Sequence, residues 1–137
     1  MKRIALLGAL LFTVGLVVPS ESVTVPAWRY RVVNDSGAPV ADAFTRQHWQ
    51  DYSLEAAGHE QDSRSDADGW VSFPERRMRA ATWRRLFGPA RNAVLQGVHA
   101  SYGPHSFVLA MHEGYEGWLD YDPGKAPPQK LVLSHRR

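Results

Sequence analysis

Six histidines, at positions 48, 59, 99, 105, 112 and 135, are the first candidates for chemistry, because imidazole is a common ligand for zinc and copper. None stands in an H-x-H or H-x-x-x-H pair, the spacing that sets two rings on one face of a strand or helix. They read as scattered surface and turn residues, and neither a metal nor a cofactor is expected. Asp66-Ala67-Asp68-Gly69 has part of the pattern of a calcium loop, but Arg64 occupies the place of the first acid, so the segment reads as a turn. The chain has no cysteine and no G-x-S-x-G, so no nucleophile is set up for covalent catalysis, and a non-enzyme is expected.

The densest cluster of charge is Arg76, Arg77, Arg79, Arg84, Arg85 and Arg91, with Trp83 and Phe87 among them. Around it Met78, Ala81, Leu86, Ala90, Ala93 and Val94 recur at helical spacing, broken at Gly88-Pro89, which predicts two short helices or one kinked helix over about 75–97. Arg77, Arg84 and Arg91 recur every seven residues and would share a face of a continuous helix. A basic amphipathic helix of this kind can lie on an anionic membrane surface or grip an acidic partner. Arg77, Trp83, Arg84, Arg85 and Arg91 are therefore the candidate binding surface. The competing reading is a solvated arginine face on a helix docked through Met78, Leu86 and Val94. Tryptophans 28, 49, 70, 83 and 118 could stack on a sugar or a peptidoglycan fragment if exposed, or fill a core if not; Trp70 and Trp118, beside turns, are the ones to check.

The frame for these residues begins with an export signal. Lys2 and Arg3 precede an uncharged apolar run from Ile4 to Val18, after which Pro19, Ser20, Glu21 and Ser22 are polar. The run of about 15 residues is short for a membrane span. Cleavage is expected after Ser20, or alternatively after Ser22, giving a signal at 1–20 and one domain at 21–137 that is periplasmic or secreted. The alternative is an uncleaved N-terminal anchor. No cysteine follows the run to carry a lipid. The chain carries 16 basic and 14 acidic residues; without Lys2 and Arg3 the two counts are equal, which removes the electrostatic support for a nucleic-acid role.

Beyond the signal, Trp28, Tyr30 and Val32 alternate with Arg29 and Arg31, the pattern of a half-buried strand, and Asn34-Asp35-Ser36-Gly37 turns the chain. Further strands are expected at 43–50, near 59–65, at 70–73, 98–101, 106–111 and 118–121, and a closing one at 131–133. Asp66–Gly69 is expected to form a hairpin turn and Gly114-Tyr115 another turn. Many short strands with frequent turns argue for a sandwich.

Gly37-Ala38-Pro39-Val40 with Ala43, then Ser65-Asp66-Ala67-Asp68-Gly69-Trp70-Val71-Ser72-Phe73, then Gly103, Phe107, Gly114 and Tyr115 resemble, in order, the motifs of carboxypeptidase regulatory-like domains. The resemblance implies a transthyretin-like Greek-key β-sandwich of about seven strands. In it Gly37, Pro39, Asp66, Asp68, Gly69 and Gly114 shape turns, and the helical segment near 75–97 is an insertion. It also implies a non-catalytic binding or structural module, which the export signal would place at the cell envelope with an unknown protein or envelope component as partner; the arginine-rich segment adds a weak anionic membrane contact as a further partner. The alternative within that fold is a small hydrolase like the 5-hydroxyisourate hydrolases. Their C-terminal Tyr-Arg-Gly-Ser is missing from Leu133-Ser134-His135-Arg136-Arg137.

Overall fold

The computed structural model describes Gly8 and residues 13–135; Lys2, Arg3 and most of the apolar run of the expected signal lie outside the described residues, as do Arg136 and Arg137. The described residues are mainly β, with their sheets packed in a sandwich-like arrangement and a 15-residue helix beside it. Its strands are β1 Pro19–Val25, β2 Trp28–Val33, β3 Phe44–Asp51, β4 His59–Arg64, β5 Trp70–Phe73 and β6 Arg76–Ala81. Helix α1, Thr82–Gln96, follows, and then β7 Pro104–His112, β8 Tyr115–Tyr121, β9 Lys130–Val132 and β10 Ser134–His135. These ten described strands exceed the expected seven.

One layer is a five-stranded sheet in the order β10-β8-β7-β3-β4. The other combines a three-stranded sheet, β5-β2-β9, with a two-stranded ribbon of β1 and β6. Period-2 alternation makes the core: β2 turns Trp28, Tyr30 and Val32 inward, β7 turns Val108 and Ala110 inward, and Val71, Phe73, Leu131 and Leu133 complete the cluster. The Trp28 indole meets Tyr30 and Tyr121 at ring-centroid distances of 6.1 and 6.2 Å and donates to the Pro128 carbonyl at 2.7 Å. Trp28 thereby joins both layers and the loop that leads into β9.

Two of the crossings between the layers are made at glycine turns. Gly37 (φ 84°) and the bridge between Val33 and Pro39 send the chain from β2 to β3 in the opposite sheet, the task expected of that turn. The turn at Asp66–Gly69 is also present, with Gly69 at φ 80° and the Asp66 carboxylate accepting from Asp68 N and Trp70 N. It is not a hairpin, because β4 pairs with β3 while β5 pairs with β2, so this turn too carries the chain between sheets. Gly114 (φ 85°) does close a hairpin, between β7 and β8.

The segment 75–97 departs most from expectation. Its first part is strand β6, paired antiparallel with β1 from Pro19↔Ala81 to Val25↔Arg76. Neither strand has a strong apolar alternation, and each is held by its partner. The Arg76 guanidinium lies 4.0 Å over the Trp49 ring and donates twice to Gln47 Oε1, at 2.9 and 2.8 Å, and once to Gln61 Oε1. This seats the ribbon on the core-facing side of β3. β1 also begins two residues before the expected cleavage point, so cutting after Ser20 would remove its first two register pairs. The strand expected at 98–101 is instead a short 3-10 turn, Gly97–His99, because Gly97 at φ 57° ends α1 there.

Candidate functional site

Helix α1 runs unbroken through Gly88 and Pro89, although proline removes one intrahelical hydrogen bond and crowds the carbonyl four residues back. Polar clamps on both sides of the proline hold it. Before it, Arg85 donates to Ser22 Oγ at 2.8 Å and to the Ser20 carbonyl at 2.9 Å, tying α1 to β1. Beyond it, Asn92 Nδ2 donates to the Tyr52 and Ser101 carbonyls. Asn92 is the buried residue of this helix.

The apolar residues point the other way. Val94 is 84% exposed, Leu95 65%, Phe87 62% and Leu86 61%, and Trp83 is also exposed. The expected docking through Leu86 and Val94 does not occur, and Met78 lies on β6 rather than on the helix. At about 100° per residue, Trp83, Phe87 and Val94 fall within about 40° of one another on the outward side, and Arg84 and Arg91 flank them. The usual polarity of a surface helix is inverted: the Asn92 amide and the Arg85 guanidinium face the protein, while Trp83, Phe87 and Val94 face solvent beside the exposed Arg84 and Arg91.

A groove of about 360 Å³ lies between this helix and the loop after β3, walled by Trp83, Arg84, Phe87, Gly88 and Arg91 on one side and by Ser53, Leu54 and Ala56 on the other. The loop is firmly held. Asp51 Oδ1 accepts from Ser53 N at 2.9 Å, Glu55 Oε2 accepts from Asp51 N at 2.8 Å, and Ser53 Oγ accepts from Gly103 N at 3.0 Å. Burial pushes the Asp51 carboxyl above the usual carboxylate range, against those bonds. Arg84 Nη2 donates to the Leu54 carbonyl at 2.8 Å and links the two walls of the groove at the solvent-exposed side. Gly88 is required where it stands, since a β-carbon there would overlap the Ser53 carbonyl oxygen. Residues Thr82–Gln96 include no acid, so the three arginines give the helix a formal charge of about +3.

Of the candidate binding residues, the structure brings Trp83, Arg84 and Arg91 into this groove. Arg85 serves instead as the clamp to β1. Arg77 stands on β6, paired with Glu75 and Glu21, so the seven-residue arginine stripe spans a strand and a helix and forms no common face. Asn92 and the 51–56 loop were not singled out from the residues. The signal for Asn92 was an amide in mid-helix, where it is poorly placed unless its side chain finds a partner.

Of the two tryptophans to check, Trp118 is 65% exposed on β8, whereas Trp70 is covered by the Arg29 guanidinium, 4.4 Å from its ring. Among the described residues no three of His, Cys, Asp and Glu are grouped to hold a metal ion. A larger groove of about 690 Å³ at the opposite end takes in His112, Glu113, Tyr115 and the Asn34–Ser36 turn, and has no arginine in its lining. The Asn34 carboxamide oxygen in its wall is already engaged by Ser36 Oγ and Ala38 N.

No protein-family model matches the chain. No curated protein matches it in sequence. Among solved structures it is similar to a 3-chlorocatechol 1,2-dioxygenase from Rhodococcus opacus 1CP, at 20% identity over 83% of this chain and a TM-score of 0.45; this chain spans 60% of that one. Nothing about activity follows from a likeness of that degree. The resemblance to carboxypeptidase regulatory-like domains rests on its three motifs alone.

Proposed function

We propose that the chain is an exported, non-catalytic binding module of the cell envelope, a sandwich that presents α1 and the groove beside it to a partner. The inverted polarity of α1 carries this reading. A helix that spends Arg85 and Asn92 on attachment and leaves Trp83, Phe87 and Val94 in water exposes apolar surface of the kind that marks an interaction site. The signal-like order of residues 1–20 supports export, and the three motifs support the family resemblance.

Photocrosslinking in intact cells tests the module reading. A photoreactive residue at position 87 of the full chain is expected to capture an envelope component, lipid or protein, and one at the strand position 132 is expected to capture little. Absence of an adduct at 87, equal yields at both positions, or adducts confined to cytoplasmic proteins would overturn it.

A further inference from the structure

We propose that the outward face of α1 docks on an anionic phospholipid membrane surface, with Arg84 and Arg91 meeting lipid phosphates and Trp83, Phe87 and Val94 entering the headgroup–acyl boundary. This rests on α1 being the module's binding face, and it names the occupant.

Four observations converge on a membrane. The apolar stripe and its arginine flank lie side by side on one exposed surface, the arrangement of a helix lying in a bilayer interface. The helix has three arginines and no acid, which complements an anionic surface. Its 15 residues interrupted by charge suit lying on the interface, and among the described residues no helix is long and apolar enough to cross a membrane. The fourth is position: Pro19 pairs with Ala81, the residue before α1, and Arg85 grips Ser20 and Ser22. The apolar N-terminal segment, with Val14, Val17 and Val18 exposed, therefore leaves the domain at the edge where α1 begins. A membrane-engaged N-terminal segment would, before cleavage, hold that edge against the lipid. A second copy fits less well, since apposing two such helices sets arginine against arginine.

The absence of native cysteine allows a clean test on the full chain. Phe87→Cys, Val94→Cys and, as control, Val132→Cys are each labelled with an environment-sensitive nitrobenzoxadiazole dye and mixed with phosphatidylcholine vesicles with or without phosphatidylglycerol. The labels at 87 and 94 are expected to brighten and shift blue on the anionic vesicles alone, while the label at 132 stays unchanged. Adding Arg84→Gln and Arg91→Gln to the Val94→Cys chain is expected to weaken partitioning on the order of 30-fold, at roughly a fivefold loss per basic side chain. Both arginines are solvent-exposed, so an unchanged circular dichroism spectrum confirms that the fold survives. Equal response to neutral and anionic vesicles, or a blue shift that grows with protein concentration in the absence of lipid, would overturn the proposal. A crosslink from position 87 to protein only, with no vesicle response, would overturn it while leaving the module reading standing.

Discussion

Replacing Asn92 with leucine is expected to destabilise the domain by about 1–3 kcal/mol, even though leucine is the better helix former and the site is buried. In a surface helix of ordinary polarity the same change would fill an apolar seam and raise stability. Here it removes the donor shared by the Tyr52 and Ser101 carbonyls and sets a leucine against polar backbone in a buried position. Val94→Ser, two residues on, is expected to change stability by no more than about 0.5 kcal/mol, since Val94 is already in solvent. Urea unfolding measures both as shifts in midpoint at constant slope. A gain in stability from Asn92→Leu would mean that α1 sits on the sandwich by its apolar side.

Trp28→Ala is expected to cost about 3–5 kcal/mol, a large part of the roughly 5–15 kcal/mol that holds a domain of this size together. The ring is fully enclosed between the layers, it meets Tyr30 and Tyr121, and its N–H donates to the Pro128 carbonyl, so the substitution opens a cavity and also loses that hydrogen bond. Trp118→Ala, on the exposed face of β8, is the matched control and is expected to be near neutral. Scanning calorimetry distinguishes the two: a large fall in Tm for Trp28→Ala alone is predicted, and equal falls would place Trp118 in a contact that its exposure excludes.

The parts of the fold legible in the sequence are those governed by short-range pattern. The alternation of Trp28, Tyr30 and Val32, the Asn34–Gly37 turn, and the apolar run of β7 each announce themselves within a few residues. Strands β1 and β6 do not, because their stability is mutual and spans more than fifty residues of chain. Pro19 and Ser20 belong by pattern to the signal and by pairing to β1, and without that partner the sequence Arg76-Arg77-Met78-Arg79-Ala80-Ala81 has the pattern of a helix. The Asp66–Gly69 turn was legible as a turn but not as a crossing, since which strands pair is settled by the opposite sheet.

The candidate site was half legible for a related reason. Arginines interleaved with aromatics marked the segment, and Trp83, Arg84 and Arg91 do meet at one groove. The orientation of the helix is not legible, because periodicity identifies two faces and does not say which one is buried, leaving the outward surface of Trp83 and the docking through Leu86 and Val94 both open. The buried Asn92 decides it here, because its amide bonds the Tyr52 and Ser101 carbonyls and so turns the polar side of the helix toward the sandwich.

The orientation of α1 is the claim on which the rest depends, and thiol reactivity measures it directly in a chain without native cysteine. Single cysteines at 87, 92 and 94 are exposed to a water-soluble thiol reagent in native buffer and again in denaturant. Cysteines at 87 and 94 are predicted to react in native buffer at close to their denatured rates, and the cysteine at 92 far more slowly. Rapid labelling at 92 with protection at 87 and 94 would contradict the account.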